Sequence, residues 1–259
     1  MKESLVIIPT YNEKENIAEI IRAVLSQPSA FELLIVDDNS PDGTASIVEG
    51  LMAEYPDRLH IEVRTGKLGL GTAYIHGFRW ALARKYEYIF EMDADFSHPP
   101  ADLNKLYEAC KKNEHDVAIG SRYVTGVNVV NWPMSRVMLS FFASYYVRIV
   151  TGMPFRDTTA GFKCYKRSVL ETIDLEKVRF MGYAFQIEMK FLAWKYGFNI
   201  TEVPIIFTDR TKGKSKMSKG IIKEAVWGVM QIKISSLFRT YRRAQEDYKT
   251  TLSYAEEKP

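Results

Sequence analysis

The chain has little sulfur with which to build: two cysteines, Cys110 and Cys164, in 259 residues. They lie far apart and neither belongs to a CxxC pair, which argues against a disulfide framework or a cysteine-ligated zinc, and fits a reducing cytoplasm. Both are expected to be buried apolar residues. Long apolar runs are also missing. No stretch reaches about 18 uncharged apolar residues, because Lys223, Glu224 and Lys233 interrupt the best candidate. A membrane-spanning helix is therefore not expected. Lys2 and Glu3 precede a short apolar run at 5–8 that is too brief for the core of a signal peptide. A strong charge of one sign is absent too: the formal net charge is +3, too mild to suggest nucleic acid, although basic residues gather towards the C-terminal half. Finally, Gly66, Gly69 and Gly71 do not form a GxGxxG fingerprint, which disfavours a Rossmann dehydrogenase and leaves close backbone packing as their expected use.

What is present is enough apolar material, 46% of residues, to bury one large core. Apolar runs at 5–8, 33–36, 59–63, 88–92 and 117–119 alternate with helix-compatible segments at 15–26, 44–54, 71–84 and 100–112. Those segments are long enough to cross over a parallel sheet, and the unbroken apolar character of the runs fits strands buried on both faces. The expected fold class is α/β, with a mostly parallel central sheet flanked by helices. After Gly120 the alternation stops. Helices are expected at 133–150 and 184–195 and a strand at 201–207, followed by a polar loop at 209–219 that reads as mobile.

The most informative feature is Asp93-Ala94-Asp95, at the end of the apolar run 88–92. Two carboxylates at i and i+2 on extended backbone point to one side, and at ~4 Å they repel by about 4 kcal/mol even at an intermediate dielectric. A cation between them is the natural remedy. Hard oxygen ligands suit Mg²⁺ or Mn²⁺, which in turn would neutralise a nucleotide diphosphate. In a parallel sheet, ligands bind outside the carboxyl ends of the strands. There Thr10-Tyr11-Asn12-Glu13, Asp37-Asp38-Asn39-Ser40 and Asp93-Ala94-Asp95 are expected to converge.

Taken in order, Pro9-Thr10-Tyr11-Asn12-Glu13, Val36-Asp37-Asp38-Asn39-Ser40-Pro41-Asp42-Gly43-Thr44 and Asp93-Ala94-Asp95 resemble the polyprenyl-phosphate (dolichol-phosphate) mannosyltransferases, inverting enzymes of glycosyltransferase family 2 with the GT-A fold. Further matches run through Gly66 to Gly71, Gly120-Ser121-Arg122-Tyr123, Asp157-Thr158-Thr159-Ala160-Gly161-Phe162 and Gly182 to Met189. The likeness covers roughly the first 220 residues, and so many motifs in order are far more specific than any one of them. It implies a GT-A nucleotide-diphospho-sugar transferase domain over residues 1–220, with Pro9, Tyr11, Glu13, Val36, Asp38, Asp93, Arg210 and Lys216 contacting the nucleotide sugar. Asp93 and Asp95 are the implied metal ligands for Mg²⁺ or Mn²⁺, Asp95 the principal one and Asp93 on the metal or the sugar nucleotide. Ser97 offers a further oxygen; some relatives have Gln there, which leaves the third ligand open between Ser97 and water. His98 is read as a loop residue. Asp42 and Thr44 are assigned to a turn and helix start.

On the acceptor side, Arg122 and Arg136, with Ser140 one turn further, match positions that hold the acceptor phosphate, for which a guanidinium fork is suited. Asp93, Asp95, Arg122 and Arg210 form the implied catalytic set, Arg210 and Lys216 stabilising the departing diphosphate. The implied reaction is one displacement of GDP from GDP-mannose by the phosphate of polyprenyl phosphate. A phosphate already anionic needs no carboxylate base, so Glu188 is read as a support for the site. A UDP-glucose-dependent glucosyltransferase remains the alternative, as does an inactive nucleotide-sugar-binding scaffold. Many such enzymes carry C-terminal transmembrane helices and this chain does not. Its residues 221–243 instead form an amphipathic helix, with Ile222, Ala225, Val226, Val229, Met230, Ile234, Leu237, Phe238 and Tyr241 in a stripe before Arg239, Arg242 and Arg243. That helix would either lie on a membrane surface or pack in a core or oligomer contact. A polar tail, 244–259, follows. The expected location is the cytoplasmic face of a membrane, held peripherally.

Overall fold

The computed structural model describes residues 2–210 and 219–241; from 219 to 225 it describes the main chain alone. The apolar runs form strands and the segments between them helices: β1 (Ser4–Thr10), α1 (Ile17–Leu25), β2 (Glu32–Asp37), α2 (Thr44–Met52), β3 (Leu59–Val63), α3 (Leu70–Ala83), β4 (Tyr88–Glu91), α4 (Asp102–Lys111) and β5 (Val117–Ser121). A short β6 (Val129–Val130), α5 (Met134–Thr151), β7 (Lys163–Lys166), α6 (Arg167–Thr172), α7 (Tyr183–Lys195), β8 (Ile200–Pro204), β9 (Phe207–Thr208) and α8 (Lys219–Leu237) follow. Gly152, at φ 81°, ends α5 in the left-handed region that costs glycine nothing.

Seven strands make one sheet in the order β3-β2-β1-β4-β7-β5-β8. Its pairs are parallel except the two made by β7, which runs antiparallel between β4 and β5. Both faces are covered, as the continuous apolar runs require. Leu5, Ile7, Leu34 and Val36 point into one core with α3, α6 and α7, which α5 and α8 join through Val147, Val229 and Ile232. Val6, Ile8, Leu33 and Ile35 point into the other, against α1, α2 and α4. The chain moves outward from β1 to β3 and then returns to the opposite side of β1 with β4. That reversal opens a crevice at the carboxyl ends of β1 and β4, the position where such sheets bind ligands.

Sequence reading overlooked β7 because lysines stand at both of its ends. Lys163 is fully buried mid-sheet, and its register partner is Glu91 of β4, with Nζ 3.1 Å from Oε2. A cross-strand charge pair makes the strand tolerable where an unpaired lysine would not be. The expected strand at 201–207 divides instead. Past Pro204, the Ile205 N–H turns to the Ser121 carbonyl, and Phe207–Thr208 leaves the large sheet to pair with β6. No helix among the described residues is long and apolar enough to cross a membrane.

The glycine-rich approach to α3 does pack closely. A β-carbon at Gly71 would stand 2.8 Å from the Phe180 carbonyl oxygen and 2.9 Å from the Phe185 ring, neither free to retreat. Gly71→Ala should therefore lower unfolding stability by about 1–3 kcal/mol, to be measured as a fall in the urea midpoint. Gly66→Ala, with nothing within 4 Å, should leave it nearly unchanged.

Candidate active site

The strand ends are shaped by polar turns. After β2, Asp37 accepts from the Thr10 hydroxyl at 2.7 Å, the Ser40 hydroxyl at 2.6 Å and the Ser40 N–H at 2.8 Å, tying the β1 and β2 ends together. Asn12 and Asn39 take left-handed φ values of 56°, which asparagine tolerates. After β4, Asp95 Oδ1 accepts from both the N–H (3.1 Å) and the hydroxyl (2.6 Å) of Ser97. This side-chain turn holds the intervening Phe96 at φ 60°. Asp42 and Thr44 form the same kind of turn, with Thr44 Oγ1 accepting the Glu13 N–H at 3.0 Å.

Of the residues expected at the donor, Tyr11 lies under the Lys67 ammonium, 4.9 Å from ring centre to nitrogen. Glu13 is buried and accepts from Asn16 at 3.2 Å. Pro9 lies beside Val36 in the β1–β2 register, and the Val36 side chain is wholly in the core. Asp38 is committed to the protein: Oδ1 takes Arg64 Nε at 2.6 Å and Oδ2 takes the Leu68 N–H at 3.2 Å. Arg64 also reaches Thr72 Oγ1 at 2.8 Å, fastening the Gly66–Gly71 segment. Sequence reading did not single out Arg64, because its partner is reached only across the parallel β2–β3 pair. Lys216 lies outside the described residues.

Asp95 is almost fully buried and bonds Arg210 Nη2 through Oδ2 at 2.7 Å, while Asp93 keeps 41% of its side chain open to the cleft. The two acids are driven apart electrostatically. Burial opposes the Asp95 charge, but the Ser97 hydroxyl and the Arg210 charge hold its pKa below the usual range. For Asp93, desolvation in the crowded cleft and then the Asp95 carboxylate push the pKa up, against the pull of Arg210. His98 is buried, stacked 5.0 Å from the Phe162 ring, and accepts from the Asp93 N–H at 3.4 Å through Nδ1. Burial lowers its pKa to about 4, so at neutral pH it is an uncharged anchor for the turn.

This donor set suits a divalent cation. Its hard carboxylate oxygens on Asp93 and Asp95 are of the right chemistry, although Arg210 already stands on Asp95 and no group of three or more His, Cys, Asp or Glu that could hold a metal occurs among the described residues. A Mg²⁺ or Mn²⁺ ion bound by Asp93 and Asp95 would draw its remaining ligands from water and substrate phosphates. The Ser97 hydroxyl spends its proton on Asp95 and keeps its lone pairs.

The acceptor-side residues gather beside this cleft, on two different footings. Arg122 is buried and locked fork-to-fork on Asp157, with Nε–Oδ2 at 2.7 Å and Nη2–Oδ1 at 2.6 Å, and its own N–H on Oδ2 at 2.9 Å. Glu202 holds the Asp157 loop through the Arg156 and Asp157 N–H groups, and the buried Lys190 holds it through the Ala160 carbonyl. Arg136 lies over the Trp132 ring, 4.2 Å from its centre, and reaches Asp209. Ser140 stands beside the Tyr123 hydroxyl. The Trp132 Nε1–H is buried with no hydrogen-bond partner among the described residues. Glu188 Oε2 accepts the N–H groups of Arg179 and Phe180 at 2.9 and 3.1 Å, bonding the segment just before α7. Asp157, Lys190 and Glu202 escaped sequence reading as separate roles; a polar Asp-Thr-Thr turn was their only trace.

The mostly parallel sheet, with its one antiparallel strand, is that of the GT-A glycosyltransferase fold. Among solved structures, glucosyl-3-phosphoglycerate synthase from Mycobacterium tuberculosis with Mn²⁺ and UDP-glucose superposes with a TM-score of 0.65, covering 90% of this chain and 79% of that one at 15% identity. The same enzyme with Mg²⁺ and UDP gives 0.66 at 14% identity, over 90% and 79% of the two chains. The profile of glycosyl transferase family 2 matches residues 5–174, and the chain belongs to that family. It is 47% identical over 230 residues to the polyprenol monophosphomannose synthase of Mycolicibacterium smegmatis, covering 89% of this chain and 86% of that protein. It is 46% identical to the undecaprenyl-phosphate mannosyltransferase of Micrococcus luteus, covering 87% and 93%.

The Arg122–Asp157 pair gives a direct test of the architecture. Removing one partner of a buried ion pair leaves the other charge unmatched, so Asp157→Ala should cost about 3–5 kcal/mol of stability in urea unfolding. The combined Arg122→Met/Asp157→Leu variant should recover most of that loss while remaining inactive.

Proposed function

We propose that this chain transfers mannose from GDP-mannose to the phosphate of a polyprenyl phosphate, with inversion at C1, working at a membrane surface. One observation carries the reading. A cleft with paired acids and Arg210 at the β4 end adjoins, through the neighbouring residue Asp209, an arginine on a helix whose outer face is apolar. That adjacency supports a site in which a donor diphosphate and a lipid-borne anion meet. Asp93 and Asp95 would hold Mg²⁺ or Mn²⁺, which supplies positive charge to the diphosphate. Arg210 offers a second cation to the departing group. Arg136, with Ser140, Trp132 and the fixed charge of Arg122, receives the acceptor phosphate. An oxygen of that phosphate forms the new bond to C1 as the bond to the diphosphate breaks, and the electron pair leaves with GDP. Alignment and charge neutralisation are the whole of the catalysis, since the nucleophile arrives ionised.

The exposed apolar surface is wider than sequence reading implied. On α5, Met134, Met138, Phe142, Tyr145 and Ile149 fall on one face and are exposed. Along and just past α8 the expected stripe divides: Val229 packs inward and Tyr241 meets Tyr196 edge-on at 5.3 Å, while Val226, Met230, Ile234, Leu237 and Phe238 remain exposed with Trp227 beside them, and the side chains of Ile222 and Ala225 lie outside those described. The two helices touch, Tyr146 donating to the Val226 carbonyl at 3.1 Å. An apolar surface of this extent next to a lipid-phosphate site fits a bilayer interface.

The decisive assay follows label from GDP-mannose into the organic phase with polyprenyl phosphate and Mg²⁺ or Mn²⁺. Asp95→Ala or EDTA should lower turnover on the order of a thousandfold. Transfer from UDP-glucose alone would replace the donor, and transfer from neither would overturn the reaction. Separately, Phe142→Ser/Ile149→Ser should weaken sedimentation with phosphatidylglycerol vesicles by roughly tenfold or more, with circular dichroism unchanged. Equal sedimentation would remove α5 from the membrane contact.

A further inference from the structure

Two arginines face the acceptor region, and their partners hold them differently. Asp157 grips Arg122 with two oxygens on two nitrogens, in a pair that is buried on both sides. Asp209 meets Arg136 end-on: both of its oxygens lie 2.9 Å from the single nitrogen Nη1. The Nε and Nη2 groups of Arg136 carry no hydrogen bond among the described residues, so the fork that suits a phosphate stays open. The Trp132 ring lies against the guanidinium, 4.2 Å from ring centre to Cζ. The pair is partly open to solvent, 29% for Arg136 and 26% for Asp209. Asp209 is pinned through its main chain, its N–H donating to the Val130 carbonyl at 3.0 Å, so its position does not depend on the contact its carboxylate makes with Arg136. Oδ1 also accepts the Arg210 N–H at 3.1 Å, placing the residue between the arginine on Asp95 and the arginine on α5.

We propose that Asp209 is an internal stand-in for the acceptor phosphate, a positioning residue that holds Arg136 ready in the substrate-free chain and yields it to an incoming phosphate monoester. The inference rests on the acceptor assignment made above. A carboxylate held end-on by one nitrogen gives way to a dianionic phosphate that takes two. A neutral polyprenol has no charge with which to displace it. Asp209 therefore sets a threshold that only an anionic headgroup crosses, and its removal should tighten phosphate binding. A merely structural ion pair predicts the opposite sign, since losing the prop would disorder Arg136 and weaken binding.

The test is a calorimetric titration of the full chain, without donor, using geranyl phosphate, with inorganic phosphate and geraniol in parallel. Asp209→Asn should bind geranyl phosphate roughly two- to fivefold tighter than wild type, Asp209→Glu should behave as wild type, and Arg136→Gln should bind more weakly. A similar gain for inorganic phosphate would locate the recognition in the phosphate group, and a gain confined to geranyl phosphate would add the prenyl chain. In wild type labelled with carbon-13 at aspartate carboxyls, the Asp209 signal should move on adding geranyl phosphate, a readout that needs no variant. Unchanged or weaker binding by Asp209→Asn, beside a clear loss in Arg136→Gln, overturns the stand-in and leaves the acceptor site intact. A static Asp209 signal under saturating ligand does the same. Absence of geranyl phosphate binding in wild type overturns the acceptor assignment and the stand-in with it.

Discussion

Repulsion among carboxylates is the constraint on which this structure turns. Asp38, Asp95, Asp157 and Asp209 come from distant parts of the chain and are brought near one cleft, where unmatched negative charge would be costly. Each is met by an arginine: Arg64, Arg210, Arg122 and Arg136 in turn. The four pairs are graded in exposure. Asp38 and Asp157 are buried with their arginines and hold loops in place, whereas Arg210 and Arg136 stay partly open to solvent. Phosphate chemistry suits such a site, because a cation or phosphate can enter by exchanging partners rather than by creating charge in a low dielectric.

The sheet supports this arrangement by an unusual choice at its centre. An antiparallel β7 between β4 and β5 brings Lys163 beneath the β4 end, paired with Glu91 only two residues before Asp93. Lys190 lies close by and holds the Asp157 loop. The acidic turn and the Arg122 loop therefore rest on one buried polar layer, whose partial removal would strand charges. Around that layer the packing is apolar and tight, as Gly71 against Phe180 and Phe185 illustrates.

The outer layer answers a different demand. Helices α5 and α8 use one face each to complete the core, through Val147, Val229 and Ile232, and leave the other apolar. The same α5 carries Arg136, so the helix that holds this charged group also presents the greasy face beside it. A lipid headgroup and its tail would need those two surfaces in contact, and one helix supplies both.

How much of this could be read in advance depended on distance along the chain. Periodicity and turn chemistry alone located β1 to β5, the intervening helices and the convergence of Glu13, Asp38 and the Asp93/Asp95 pair, because strand burial and crossover length are local properties. Family likeness pointed to Arg122, Arg136 and Arg210. Neither could show that Arg122 is spent on Asp157, that Arg64 answers Asp38, or that Lys163 belongs to a central strand. Ion pairs join residues that only the folded chain brings within reach, and a lysine reads as surface until its partner is known. The sequence by itself determined which residues could carry charge and where strands would end; the tertiary structure decided which charges are already matched and which remain for a ligand, since matching depends on distances set by packing rather than by order.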